Sequence, residues 1–241
     1  MLSRMNLSPG NTQGLLHSYA IGSEPAFDWD PVFSIAPRTK APVVREHVDD
    51  AGEVQRTLEL ARWGFKPAWA KEKGPRPINA RFETAHTNGM FRAGFASSRA
   101  VVPMSGYYEW VEMDDGKQPY YVHPENTEPG EVLHAAGLTT AEQNDEGGWD
   151  VSFTVITREA RDAAGDVHDR MPAFLDEETM GEWLAPGKVE KDEREHLHGL
   201  LGEVSEKIAG SLVTHPVDRA VNNVRTLDRK DSGLIAPVEL G

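Results

Sequence analysis

Four short segments of the chain carry polar side chains inside apolar or aromatic runs, where a polar group is costly unless it is paired or used. They are Arg62-Trp63-Gly64-Phe65-Lys66-Pro67-Ala68-Trp69-Ala70, Pro77-Ile78-Asn79-Ala80-Arg81-Phe82-Glu83, Ser105-Gly106-Tyr107-Tyr108-Glu109-Trp110 and Val167-His168-Asp169-Arg170-Met171-Pro172. In the third, strand alternation puts Glu109 on one face with Tyr107 and Val111. A carboxyl group among such neighbours loses water and its pKa rises, which suits a general acid near neutrality. The alternative is a Glu109 that faces solvent on a half-exposed hairpin. His168 is the one histidine of nine flanked by Asp, Arg, Met and Pro, and either catalysis or a structural role fits it. His196 and His198 are two apart on an expected helix and share no face, so no metal site is expected. With no cysteine there is no disulfide framework, thiolate zinc site or thiol nucleophile, and no Ser-His-Asp arrangement for general proteolysis is visible.

The formal charge of −14 argues at first against a nucleic-acid partner, because phosphate binding draws on basic side chains. The distribution of that charge along the chain argues the other way. Between Ala61 and Tyr108 eight basic residues face two acidic ones, a net +6, whereas Leu175 to Glu206 carries a net −7. Arg, Lys and Trp interleave from Arg62 to Arg81, a composition that can follow the phosphates of a single strand while the aromatics stack on bases. A core tryptophan pair beside a solvated basic loop is the competing reading of the same stretch.

These side chains need a scaffold. At 241 residues and 39% hydrophobic the chain can bury a real core, and no Pro/Gly/Ser linker divides it, so one domain over residues 1–241 is expected. A short helix fits residues 11–21, and strands fit 32–36 and 41–45 on either side of Pro37. Asp114-Asp115-Gly116 marks a hairpin turn between strands within Tyr107–His123, followed by strands at 133–138 and 151–157 with an exposed polar loop at 142–148. Asp176 is an N-cap candidate, Pro186-Gly187 a stop, and residues 190–208 a second helix, with a strand at 212–214 after it. The fold class expected is α+β, a strand-rich core of antiparallel strands with flanking helices. No apolar run is long enough to span a bilayer and no secretory signal is visible, so a cytoplasmic protein without membrane contact, and a monomer, are expected.

Taken in order, the four segments resemble the SRAP family, the SOS response-associated peptidases that shield abasic sites in single-stranded DNA. The resemblance rests on the tryptophan-glycine strand, Asn79-Ala80-Arg81 with Glu83, Gly106-Tyr107-Tyr108-Glu109-Trp110 and His168-Asp169-Arg170-Met171-Pro172, with weaker echoes at Ile35-Ala36-Pro37 and His215-Pro216-Val217. It implies a strand-rich SRAP-like core, abasic single-stranded DNA as partner and no cofactor. It also implies that the family's N-terminal cysteine, exposed by removal of methionine, captures the ring-opened sugar as a thiazolidine. By motif position Asn79 would orient the N-terminal nucleophile, Glu109 would act as acid and base, and His168 would assist ring opening. Arg4, Arg81 and Arg170 would hold phosphates, with Trp69 near the displaced bases. The chain departs from that pattern at its start: Met1-Leu2-Ser3-Arg4 has Leu2 at the position of the nucleophile and no sulfur, so the thiazolidine cannot form. Leucine there also disfavours removal of Met1, and one extra residue moves the amine by up to about 3.5 Å. Ser34, where the family usually has Asn, is a milder departure. Three readings stay open: imine or lyase chemistry at the amino terminus, a non-covalent DNA-binding module, and, last, a protease acting on other proteins.

Overall fold

A computed structural model describes residues 2–8, 11–67, 69–70, 73–126 and 131–240. Strands dominate it. In chain order they are β1 (Met5–Leu7), β2 (Val32–Ile35), β3 (Lys40–Val48), β4 (Val54–Trp63), β5 (Asn79–Arg81), β6 (Arg99–Met104), β7 (Gly106–Met113), β8 (Gly116–Pro124), β9 (Leu133–Gln143), β10 (Trp149–Glu159), β11 (Arg170–Pro172), β12 (Phe174–Leu175) and β13 (Leu212–Pro216). The helices are α1 (Thr12–Ser18), α2 (Phe82–Ala85), α3 (Arg92–Ser97), α4 (Asp162–Gly165), α5 (Glu177–Leu184) and α6 (Lys191–Ala209). The mixed, strand-rich class expected from the sequence is the one observed.

Two sheets build the core. In one, β10, β4, β3, β6 and β9 pair in turn and β9 pairs again with β10, which closes a five-stranded barrel and removes its edges. The other sheet runs in the order β13-β8-β7-β1-β2. All its pairs are antiparallel. Trp63, Phe95, Phe153, Phe174 and Trp183 fill the main core, and the Trp183 indole N–H donates to the Ala100 carbonyl at 2.9 Å. No helix among the described residues is long and apolar enough to cross a membrane.

Local sequence explains several elements. The β7–β8 hairpin pairs Met113 with Gly116, leaving Asp114 and Asp115 as a two-residue turn, and Gly116 takes a φ of 122° that other residues rarely adopt. Asp176 caps α5: its side chain accepts from the Thr179 N–H at 2.9 Å, and the Thr179 hydroxyl takes the Asp176 N–H at 3.2 Å. The loop expected at 142–148 is shorter, because β9 extends into it as far as Gln143, and Asn144 Oδ1 accepts the Gly148 N–H at 2.8 Å. Sequence pattern alone does not predict strand β4 beyond its Trp63 end. Its charged residues blur the alternation, and nine residues of pairing with β3 decide its conformation.

Candidate active site at the amino-terminal strand

The chain start lies between the two sheets. β1 pairs with β2 on one side and β7 on the other, and just before it the Arg4 carbonyl accepts the Tyr108 N–H at 3.1 Å. Leu2 is fully buried in the main core. Its carbonyl accepts a hydrogen bond from Asn79 Nδ2 at 2.7 Å, across 77 positions of sequence. Asn79 is in reach because of an irregular excursion from β10. β4 leaves its parallel pairing with β10 at Trp63, the chain loops out through Gly64 (φ 142°), and β5 rejoins β10 with Asn79 opposite Val155. Trp63 Nε1 and the Val155 N–H both donate to the Ile78 carbonyl, which pins the return. Asn79 Oδ1 is buried and accepts no hydrogen bond among the described residues, an acceptor left open at the site.

Glu109 comes from β7, on the opposite sheet. It is 3% exposed, and burial pushes its pKa from 4.5 up to about 7. On the other face of the strand Gly106, three residues earlier, lets Tyr121 pack closely over β7: a Cβ at Gly106 would stand 2.5 Å from the Tyr121 ring. His168 sits in the turn between α4 and β11. Its Nδ1 accepts the Arg170 backbone N–H at 2.9 Å and lies 2.8 Å from Asp169 Oδ1, while its Nε2 stands 3.8 Å from Glu109 Oε2. That separation is an ion-pair distance and too long for a hydrogen bond. Burial lowers the pKa of His168, with Asp169 opposing. Glu109, His168, Ser3 and Trp110 line one open cleft of about 740 Å³.

The cations divide into three kinds. Arg4 is 7% exposed, and its Nη1 donates to Ser34 Oγ at 3.0 Å and to the Val221 carbonyl at 3.1 Å, with its guanidinium 5.8 Å from the centre of the Trp110 ring. Arg170 makes a two-pronged pair with Glu83 at 2.6 and 3.1 Å and also donates to the Thr157 carbonyl. Arg99 belongs to the cationic stretch by sequence but is 6% exposed and donates to the carbonyls of Phe95, Ala96, Trp183 and Ala185, holding the ends of α3 and α5. Arg81 at the end of β5 is exposed and forms no ion pair among the described residues. Trp69 is 66% exposed, while Trp63 is buried and stacked on Phe153, so these two tryptophans are not a core pair.

The structure therefore brings Leu2, Asn79, Glu109 and His168 together and leaves Arg81 and Trp69 accessible. Residue 1, the candidate carrier of the reactive amine, lies outside the described residues, as do Ala68, Lys71 and Glu72 of the basic stretch. Two participants carry no signal as isolated residues. Trp110 forms a wall of the cleft through its position after Glu109, and Asn222 accepts the Trp110 indole N–H at 2.6 Å from the C-terminal tail. Among the described residues no group of three or more metal-ligating side chains is found.

Comparison with known proteins places this geometry. The abasic site processing protein YedK of Escherichia coli is 32% identical over 220 residues, 88% of each chain. The abasic site processing protein HMCES of Xenopus tropicalis is 31% identical over 223 residues, and the alignment covers 82% of this chain and 64% of the length of that longer relative. A crystal structure of a protein from Bacteroides thetaiotaomicron superposes with a TM-score of 0.74 at 21% identity, over 98% of this chain and 99% of the other, which supports the fold. The family model for SOS response associated peptidases matches residues 1–224, the span that contains every part of the cleft described above. On that match and on relatives above 30% identity, the chain belongs to the SRAP family.

Proposed function

We propose that the protein recognises abasic sites in single-stranded DNA and reacts with the opened sugar through the amine at its amino terminus, forming an imine. The observation that carries this reading is that Ser3 lines the cleft that holds Glu109 and His168, while Asn79 fixes the start of the chain by its 2.7 Å bond to the Leu2 carbonyl. An α-amine has a pKa of roughly 8 and keeps a free-base fraction at neutral pH. Its lone pair adds to C1 of the sugar aldehyde, and the carbinolamine then loses water. Glu109, with its pKa near 7, has a protonated fraction available to give a proton to the departing hydroxyl. His168 assists the preceding step, in which the closed sugar gives up its ring oxygen and exposes the aldehyde. Leu2 supplies no sulfur, so the imine is the end of the capture rather than a step towards a thiazolidine.

A second reading follows from the complete burial of Leu2, which offers no reactive atom: a module that binds abasic or single-stranded DNA without a covalent step. One experiment separates them. Single-stranded DNA with one abasic site is incubated with the protein and borohydride, which reduces an imine to a stable amine, and the mixture is run on a denaturing gel. A protein-DNA band at least tenfold weaker in Asn79→Ala and Glu109→Gln is expected, with Leu2→Cys giving a band without borohydride. Salt-sensitive binding with no band under any condition overturns the covalent reading and leaves the module.

A further inference from the structure

His123 on β8 and His215 on β13 belong to neighbouring antiparallel strands. His123 Nε2 and His215 Nδ1 are 3.2 Å apart. The remaining ring nitrogens face backbone carbonyls, His123 Nδ1 that of Pro124 at 2.7 Å and His215 Nε2 that of Ile235 at 2.8 Å. A carbonyl oxygen has no proton to offer, so each outer nitrogen must be the N–H. The neutral tautomers selected in this way turn two bare lone pairs towards each other, a repulsive arrangement unless a cation accepts both.

Anchoring the outer N–H on a carbonyl while the inner nitrogen stays free is how metal-binding imidazoles are oriented. The spacing also fits. With metal–nitrogen bonds of about 2.0–2.1 Å, a 3.2 Å separation subtends roughly 100° at the ion, between a right angle and the tetrahedral value. Tyr121 packs against both rings, stacked on His123 at 5.1 Å and edge-on to His215 at 5.7 Å, which limits their freedom to turn away. Both histidines are half-buried, leaving room for water at the open positions, since among the described residues no third ligand joins them.

We propose that His123 and His215 chelate a divalent transition-metal ion of the class that favours imidazole, copper(II) or zinc(II), tying β8 to β13 and, through Ile235, to the C-terminal segment. The site does not depend on the DNA chemistry proposed above. Its test is a calorimetric titration of tag-free full-length protein with copper(II) sulfate and zinc(II) chloride at pH 7.5. One saturable site per chain is expected, at least tenfold weaker in His123→Gln and His215→Gln and unchanged in His196→Gln, which removes an exposed imidazole. Zinc should raise the melting temperature of the parent and leave that of His123→Gln unmoved, and bound copper should show two nitrogen ligands by electron paramagnetic resonance. If His215→Gln does not fold, His123→Gln and the copper spectrum decide alone. Equal affinity in His123→Gln, no saturable site, or a proton shared between the inner nitrogens in nitrogen NMR without metal binding overturns the proposal.

Discussion

A carboxyl group that keeps its proton to about pH 7 is an unstable thing to bury, and Glu109 carries that burden on a strand with Tyr107 and Tyr108 wholly inside. Its ordinary pKa is 4.5. Between that value and about 7 the folded chain therefore binds a proton that the unfolded chain has released, so stability falls as pH rises through this window and levels off above it. At 1.36 kcal/mol per unit the whole effect is roughly 3 kcal/mol. Glu109→Gln, uncharged at any pH, should exceed the parent in unfolding free energy by about 1–3 kcal/mol at pH 8 and converge with it near pH 4.5, as measured in urea. The same titration governs the proposed reaction. The yield of borohydride-trapped product from the parent should decline above pH 7 as the acid form is depleted, and the residual yield of the variant should not follow that limb. Of this, the sequence shows a carboxyl among aromatics; it leaves open whether that carboxyl faces inward, because alternation places a side chain on a face without saying which face is covered.

At the level of elements, local chemistry is readable wherever a turn or cap has a required residue. Asp114-Asp115-Gly116 makes the β7–β8 hairpin and Asp176 opens α5, each by a contact within four residues. Arg99 shows where this kind of reading stops. By composition it belongs with the cationic stretch, yet it ends two helices at once by donating to four carbonyls, those of Phe95, Ala96, Trp183 and Ala185. Arg99→Met should cost about 3 kcal/mol or more in denaturant unfolding, since the carbonyls lose their donor. Arg62→Ala, at an exposed position of the same stretch, should stay within about 0.5 kcal/mol. Equal losses for the two would mean that Arg99 acts only as a charge.

Across the whole molecule, an anionic protein carries a short cationic segment, and its fold decides which of those cations face solvent. Arg4 is enclosed, Arg170 is committed to Glu83, Lys66 to Glu142 and Lys117 to Glu112, whereas Arg81, two residues after Asn79, is exposed and has no ion pair among the described residues. Arg81→Glu should weaken single-stranded DNA binding about tenfold and flatten the dependence of log affinity on log salt by about one unit or more, whereas a surface substitution away from the cleft should leave the slope alone. The four motifs, their order, the mixed strand-rich class and the segregation of charge are all legible in the amino acids, because turn preferences, alternation and composition act over a few residues. Only the tertiary structure brings Asn79 to Leu2, Glu109 to His168, and His123 to His215. Those meetings depend on β5 rejoining β10, on a barrel closing through β9 and on β13 adding to β8, and no local preference records which distant strands will pair.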